Sequence, residues 1–188
     1  MINKGFTLIE TLVAVLLLSI AIVGPMTIAQ KGLQTALISK DQATAFNLAQ
    51  DAIEFVRFAR DTNCLVAGPG GCPAGNWLHG NGGAGTIALD NCVSTTGTSA
   101  CYISSYNNAV TSCGAATCPN PINYDSTVNA FSYTSGTATI FTRTITITYN
   151  NACSAPCNGS EADIVVTVSW NDPLVHSVTV RESLYDWQ

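Results

Sequence analysis

The sequence predicts an α+β protein in which a long N-terminal α-helix packs on an antiparallel β-sheet, with loops stapled by disulfides. Three observations support this class: an uncharged apolar run from Thr11 to Gln30, a helical repeat that continues to about Arg60, and alternating strand patterns after residue 138. The 188 residues suffice for one compact domain and an extended element.

The apolar run is the first predicted half of the helix. A helix of about 20 residues spans about 30 Å, which matches the hydrocarbon core of a bilayer. Gly24 and Pro25 interrupt this run. Because proline removes a backbone hydrogen bond and clashes with the preceding turn, the sequence predicts a kink or local unwinding there.

The second half of the helix is amphipathic. Its apolar residues recur at spacings of three and four, which predicts one buried stripe. The members of the stripe are Ala45, Phe46, Ala49, Ala52, Ile53, Val56 and Ala59.

The C-terminal third predicts three consecutive strands that form an antiparallel meander. In residues 140–149 apolar residues alternate with threonines, in 163–170 they alternate with smaller or polar residues, and Val175 to Leu184 follow a turn at Asn171 to Pro173. Arg143 interrupts the apolar face of the first strand and is predicted to point to a sheet edge.

The region between Cys64 and Gly136 is rich in glycine and predicts irregular structure with two short strands, at Ile87–Leu89 and Cys101–Ile103. The chain has eight cysteines and only two histidines, without a CxxC pair, which favours disulfides over a metal site. Eight cysteines allow 105 pairings. Their spacing suggests Cys64–Cys72, Cys92–Cys101, Cys113–Cys118 and Cys153–Cys157.

Several function classes find no support in the sequence. A net charge of −5 and the lack of a basic run argue against nucleic acid as a partner. The glycine-rich loops lack the GxxxxGK[ST] pattern of a phosphate site, and no GxSxG or HExxH motif occurs. We therefore expect no catalytic residue, no metal and no cofactor.

The N-terminal residues admit three interpretations. A secretory signal peptide has a shorter apolar core and a small-residue cleavage site, which this segment lacks. A plain membrane anchor leaves Glu10 unexplained, because a carboxylate is costly in an apolar span. The segment from Lys4 through Gly5, Phe6, Thr7, Leu8 and Ile9 to Glu10, followed by the apolar run, resembles the processing site of type IV pilins and type II secretion pseudopilins.

The resemblance implies a specific processing reaction. A prepilin peptidase would cleave between Gly5 and Phe6 on the cytoplasmic side of the membrane and N-methylate Phe6, while Lys4 keeps the leader in the cytoplasm. Glu10 would pair with the N-terminal amine of a neighbouring subunit. The implied partners are other pilin subunits, the prepilin peptidase, an inner-membrane assembly platform and, before assembly, membrane lipid.

The resulting plan of the chain has five parts: a leader at 1–5, a transmembrane and polymerisation half-helix at 6–30, an amphipathic half-helix at 31–61, a cysteine-rich region at 62–137 and a sheet at 138–188. The resemblance implies a structural subunit, major or minor, of an extracellular filament that serves adhesion, motility or DNA uptake. The C-terminal strands are similar to those of minor pilins of the PilV type. The alternative is a pseudopilin of a type II secretion system, and a membrane-anchored enzyme is disfavoured.

Overall fold

The computed structural model describes Gly5 and residues 7–67, 76–80, 85–94, 99–149, 161–172 and 174–185. The chain divides into two compact units, Met1–Gln42 and Ala43–Gln188, which we call the N-terminal unit and the head domain. The predicted α+β class is confirmed, with a long helix packed on an antiparallel sheet.

The long helix α1 spans Leu8–Ala67, and a short helix α2 spans Asn76–His79. Helical structure continues through Gly24 and Pro25 without local unwinding. A single proline can be tolerated because it removes only one donor, the N–H that would otherwise reach the carbonyl of Ala21. A bend at this proline remains a prediction.

Helix α1 ends at Ala67, about two turns beyond the predicted end near Arg60. The extension is supported by the buried side chain of Asn63, which is only 4% exposed. Its amide nitrogen donates to the carbonyls of Trp77 and Ile87, both at 2.8 Å, and its oxygen accepts the N–H of Ile87 at 2.8 Å. These three hydrogen bonds order part of the glycine-rich region. The apolar periodicity of the sequence does not predict them, because they are made by a polar side chain.

Eight strands form one sheet in the described part of the chain. They are β1 Val93–Ser94, β2 Cys101–Ser104, β3 Ala109–Ser112, β4 Pro121–Asp125, β5 Ala130–Ser132, β6 Thr137–Tyr149, β7 Glu161–Asn171 and β8 Val175–Tyr185. The last three form the predicted antiparallel meander, with Ile145 opposite Val166 and Val166 opposite Val180. The short strand predicted at Cys101–Ile103 is part of β2, whereas Ile87–Leu89 is irregular, and the N–H of Leu89 donates to the carbonyl of Leu78.

The strands β2–β3 and β4–β5 form two antiparallel hairpins. Strand β7 pairs with β6 along residues 141–149, while β4, β2 and β1 pair with β6 at successive positions: Pro121 with Thr142, Cys101 with Ile145, and Val93 with Ile147. Because strand β6 has only two edges, the two hairpins must share the edge that β7 leaves open. They therefore lie side by side along it.

One hydrophobic core joins the head-domain part of α1 to the sheet. Four alanines of the helix, Ala45, Ala49, Ala52 and Ala59, are fully buried. Small side chains at these positions let the helix approach the strands closely, where Ile145, Ile147, Ile164, Val166 and Val168 are fully buried. Burial of this apolar area is the main stabilising term of the head domain.

Arg143 contradicts its predicted place at a sheet edge. It lies on β6, on the same face as Phe141 and Ile145, and is only 1% exposed. Its Nη1 donates to the carbonyl of Leu48 and to Oδ2 of Asp51, both at 2.8 Å, and its Nη2 donates to the carbonyl of Ile103 at 2.5 Å. A buried guanidinium is tolerated only when such acceptors replace water. Arg143 thereby connects α1, β6 and β2.

A second guanidinium ties the same helix to the last strand. Arg57 donates from Nε and Nη2 to Oε1 of Glu182 on β8, at 2.8 and 2.6 Å, and from Nη1 to Glu54. Hydrogen bonding to Glu182 and the charges of both glutamates raise the pKa of Arg57 further above its ordinary value. This pair is partly exposed, so it contributes much less than the bonds of Arg143.

We predict that Arg143→Met lowers the free energy of unfolding of the head domain by about 2–4 kcal/mol, because it leaves two buried carbonyls and Asp51 without their donor. Arg181→Met is the matched control, since Arg181 is exposed on β8 and its loss should change stability by less than about 0.5 kcal/mol. Urea unfolding of the full chain in detergent, followed by tryptophan fluorescence, measures both. Equal losses in the two variants would contradict the structural role of Arg143.

Candidate functional site

The candidate site begins at the first turn of α1. The carbonyl of Thr7 accepts hydrogen bonds from the N–H of Glu10 at 3.0 Å and of Thr11 at 3.2 Å, so the helix starts directly after Thr7. Gly5 lies outside the helix, is exposed, and has no heavy atom within 4 Å of the position that a Cβ would take. The two neighbours predicted to matter with it, Lys4 and Phe6, lie outside the described residues.

Glu10 stands in the first helical turn and is exposed. A carboxylate in this place is favoured by the free N–H groups and the positive end of the helix dipole. None of the described residues forms an ion pair with Glu10. Its negative charge is therefore available to a group outside the described part of the subunit.

The helix surface that follows is apolar and exposed. Every large apolar side chain from Leu8 to Ile28 is at least half exposed, from 50% for Val13 to 78% for Leu8. Among the described residues, α1 is the one helix long and apolar enough to cross a membrane. Such a surface is unfavourable in water and must be covered by lipid or by other protein.

The hydroxyls in this run do not disturb its apolar character. Thr11 donates to the carbonyl of Leu8, Ser19 to that of Val15 and Thr27 to that of Gly24, each at 2.8 Å. These bonds, which no sequence pattern predicts, satisfy the hydroxyl donors within the helix itself. The surface from Leu8 to Ile28 is thus compatible with lipid despite these three hydroxyls.

The N-terminal residues match a known family. Residues 1–24 fit the family model of the prokaryotic N-terminal methylation motif, which is the motif of type IV prepilins and pseudopilins. The motif identifies the N-terminal segment as that of a pilin-type subunit. The motif and the exposed apolar helix fit a membrane-anchored precursor that later joins a surface filament. No curated protein and no solved structure matches the chain.

Membership of this class has direct consequences for activity and partners. A pilin-type subunit is a structural protein and not an enzyme, as the sequence predicts. Such subunits assemble with other pilin subunits, and a prepilin peptidase processes them.

The cysteines of the pilin-type subunit staple the loops of the head domain. Disulfides join Cys92 to Cys101 and Cys113 to Cys118, which are two of the pairs suggested by their spacing. The first connects the residue directly before β1 to the first residue of β2, and both cysteines are fully buried. Cys64 is also disulfide-bonded. The remaining predicted partners, Cys72, Cys153 and Cys157, lie outside the described residues.

We predict that peptide mapping of the unreduced subunit by mass spectrometry recovers one cross-linked peptide with Cys92 and Cys101 and another with Cys113 and Cys118. The Cα atoms of the two pairs lie 4.8 and 5.2 Å apart, within the range that a disulfide spans. A double variant, Cys113→Ser with Cys118→Ser, should lose only the second peptide. Recovery of Cys92 linked to Cys113 or Cys118 in the parent protein would contradict the pairing.

Proposed function

We propose that this pilin-type subunit is made as a single-pass inner-membrane prepilin, is cleaved between Gly5 and Phe6, and polymerises through α1 into an extracellular type IV pilus-like filament. The observation that supports this proposal best is the succession of three features at the N-terminus: the methylation motif over residues 1–24, the carboxylate of Glu10, and the exposed apolar surface of the helix that follows it. An ordinary membrane anchor needs only the third feature.

Cleavage after Gly5 suits the local structure. A glycine offers a protease no side chain to accommodate, and apart from its chain neighbours no described atom lies within 4 Å of the position that a Cβ of Gly5 would take. The helix begins only at Leu8, so Gly5 lies outside it. Lys4 holds the leader on the cytoplasmic side by its charge. The same peptidase then methylates the new amine of Phe6.

The new amine gives Glu10 its partner. Two opposite charges in a medium of low dielectric constant attract each other far more strongly than in water, and each is costly there alone. Pairing of Glu10 with the Phe6 amine of a neighbouring subunit removes both penalties at once. The pair fixes the register between two helices and favours transfer of a subunit from lipid into the filament.

Gly24 and Pro25 supply a weak point in the same helix. The bond missing at Pro25 and the backbone freedom of Gly24 lower the cost of unwinding this turn when subunits pack together. The exposed apolar surface of α1 contacts different partners in turn. It contacts lipid first, then an inner-membrane assembly platform, and finally other pilin subunits. Nucleic acid is not among the proposed partners.

A pseudopilin of a type II secretion system is the second candidate, because the methylation motif over residues 1–24 is common to pilins and pseudopilins. The fate of the processed subunit separates the two. A pilin is released with sheared surface filaments, whereas a pseudopilin stays with the secretion complex in the cell envelope. The cysteine-stapled loops favour display outside the cell, where disulfides persist.

We predict that Gly5→Val leaves the full-length precursor in the membrane, because a branched side chain obstructs the scissile position. The matched control is Gly32→Val, since Gly32 also has no heavy atom within 4 Å of a Cβ but lies far from the cleavage site. Immunoblots of membrane fractions, in cells with and without the prepilin peptidase, measure the ratio of precursor to mature chain. Normal processing of Gly5→Val would refute the assigned cleavage site.

We predict that Glu10→Gln is cleaved normally but enters filaments at least about tenfold less, because the substitution removes the charge and keeps the shape. Glu54→Gln is the control, since Glu54 is an exposed glutamate of the same helix whose pair with Arg57 lies at the surface. The amount of subunit in sheared filaments, relative to the total mature chain, gives the result. Unchanged incorporation of Glu10→Gln would exclude the charge pair.

A further inference from the structure

The head domain contains a cavity of about 470 Å³ between its two hairpins. Its walls come from β2 and β3 on one side and from β4 and the residues after β5 on the other. The volume lies in the range of small-molecule sites. Nothing in the assembly of the helix requires it.

The backbone around this cavity keeps the two hairpins apart. Both hairpins lie along one edge of β6, and the pairing of β4 with that edge is irregular between Pro121 and Asn123. Pro121 has no N–H to continue a ladder towards β2. The loop before it is held by the Cys113–Cys118 disulfide, and the N–H of Cys118 donates to Oγ1 of Thr144 at 3.1 Å. The gap is thus built on fixed backbone.

The lining of the cavity is polar and neutral. It carries hydroxyls, two amides and two aromatic rings, but no charged side chain, and the main contributors are Tyr102, Ser104, Thr111, Asn120, Asn123 and Tyr133. The rings of Tyr102 and Tyr133 lie 4.6 Å apart between centroids. The Tyr102 hydroxyl accepts the N–H of Asn120 at 2.9 Å, so its own proton is free to donate.

Two buried hydroxyls of this lining form no hydrogen bond of normal geometry with the described residues: Oγ of Ser104, and the hydroxyl of Tyr133, which lies beside the Arg143 guanidinium. Ser104 is only 3% exposed. Burial raises the pKa of Tyr133, and the nearby Arg143 guanidinium offsets this only in part. Buried polar groups without partners destabilise a fold, so two such hydroxyls in the lining of one cavity favour a ligand that satisfies them.

We propose that this cavity binds one neutral sugar residue, free or at the end of a glycan. Tyrosine faces suit the C–H surface of a pyranose ring, while hydroxyl and amide groups match its ring of hydroxyls. An anionic ligand would find no counter-charge in the lining, and a nucleobase would leave most of the hydroxyls unmatched. This inference stands apart from the proposed assembly, since none of the lining belongs to the N-terminal unit.

A second cavity in the head domain provides the internal control. It measures about 460 Å³, includes Asp51, Ser105 and Tyr106 in its lining, and has none of the unpartnered buried hydroxyls. Ser105 directly follows Ser104 in the chain, so each substitution at the proposed site has a counterpart of the same type. The pairs are Ser104→Ala with Ser105→Ala, and Tyr133→Phe with Tyr106→Phe.

The test uses the full chain in a zwitterionic detergent, because alkyl glycoside detergents carry the chemistry under test. Isothermal titration calorimetry with the methyl glycosides of galactose, glucose, mannose and N-acetylglucosamine probes the free sugar, and an array of immobilised neutral glycans probes the chain end. Sialic acid and thymidine are the comparison ligands. Thermal unfolding of every variant is recorded in parallel.

We expect saturable binding of at least one neutral sugar, weakened about tenfold by Ser104→Ala and by Tyr133→Phe but not by their counterparts. Ser104→Ala should not lower the unfolding temperature, because it removes an unpaired hydroxyl. If Tyr133→Phe fails to fold, the sugar binding of Ser104→Ala alone still tests the proposal. Binding of no neutral sugar, binding that Ser104→Ala leaves unchanged, or binding of sialic acid or thymidine alone would overturn the proposal.

Discussion

The head domain depends on one buried guanidinium. Arg143 lies on the central strand β6, and its bonds reach the carbonyl of Leu48 on α1, the carboxylate of Asp51 and the carbonyl of Ile103 on β2. Apolar packing alone does not specify how far a helix may slide along a sheet, whereas these bonds are satisfied at one position only. The alanines of α1 bring the helix close enough for a side chain on β6 to reach its backbone.

The periodicity of apolar residues predicted the long elements of the fold, in which side chains at regular spacing face the same hydrophobic core. The stripe of α1 and the meander from β6 to β8 are long enough to show their repeats, and the structure confirms both except at Phe46, which is 45% exposed and not part of the buried stripe. The prediction that Arg143 lies at a sheet edge was wrong. A charged residue within an apolar strand face usually indicates a position at the edge of the sheet, where water can reach the charge. Its partners lie 40 to 95 residues away, so no local pattern contains them.

The structure of the region between Cys64 and Gly136 could not be predicted for the same reason, because no local sequence pattern contains the contacts that order it. Strands of two to five residues are too short to show an alternation, and the order of this region comes from disulfides and from the buried amide of Asn63. The cavity between the hairpins is invisible in the sequence for that reason. In contrast, the N-terminal motif is contiguous and needs no folded context, which is why Gly5, Phe6 and Glu10 could be named from the sequence.

Under the proposed function, α1 is both a membrane anchor and a polymerisation element that becomes active on cleavage. Mass spectrometry of the N-terminal peptide, taken from the sheared surface fraction, is the decisive measurement. We expect a mature chain that begins at Phe6 and carries a methyl group on its amine. A surface chain that still begins at Met1, or one that begins after the apolar run, would contradict it.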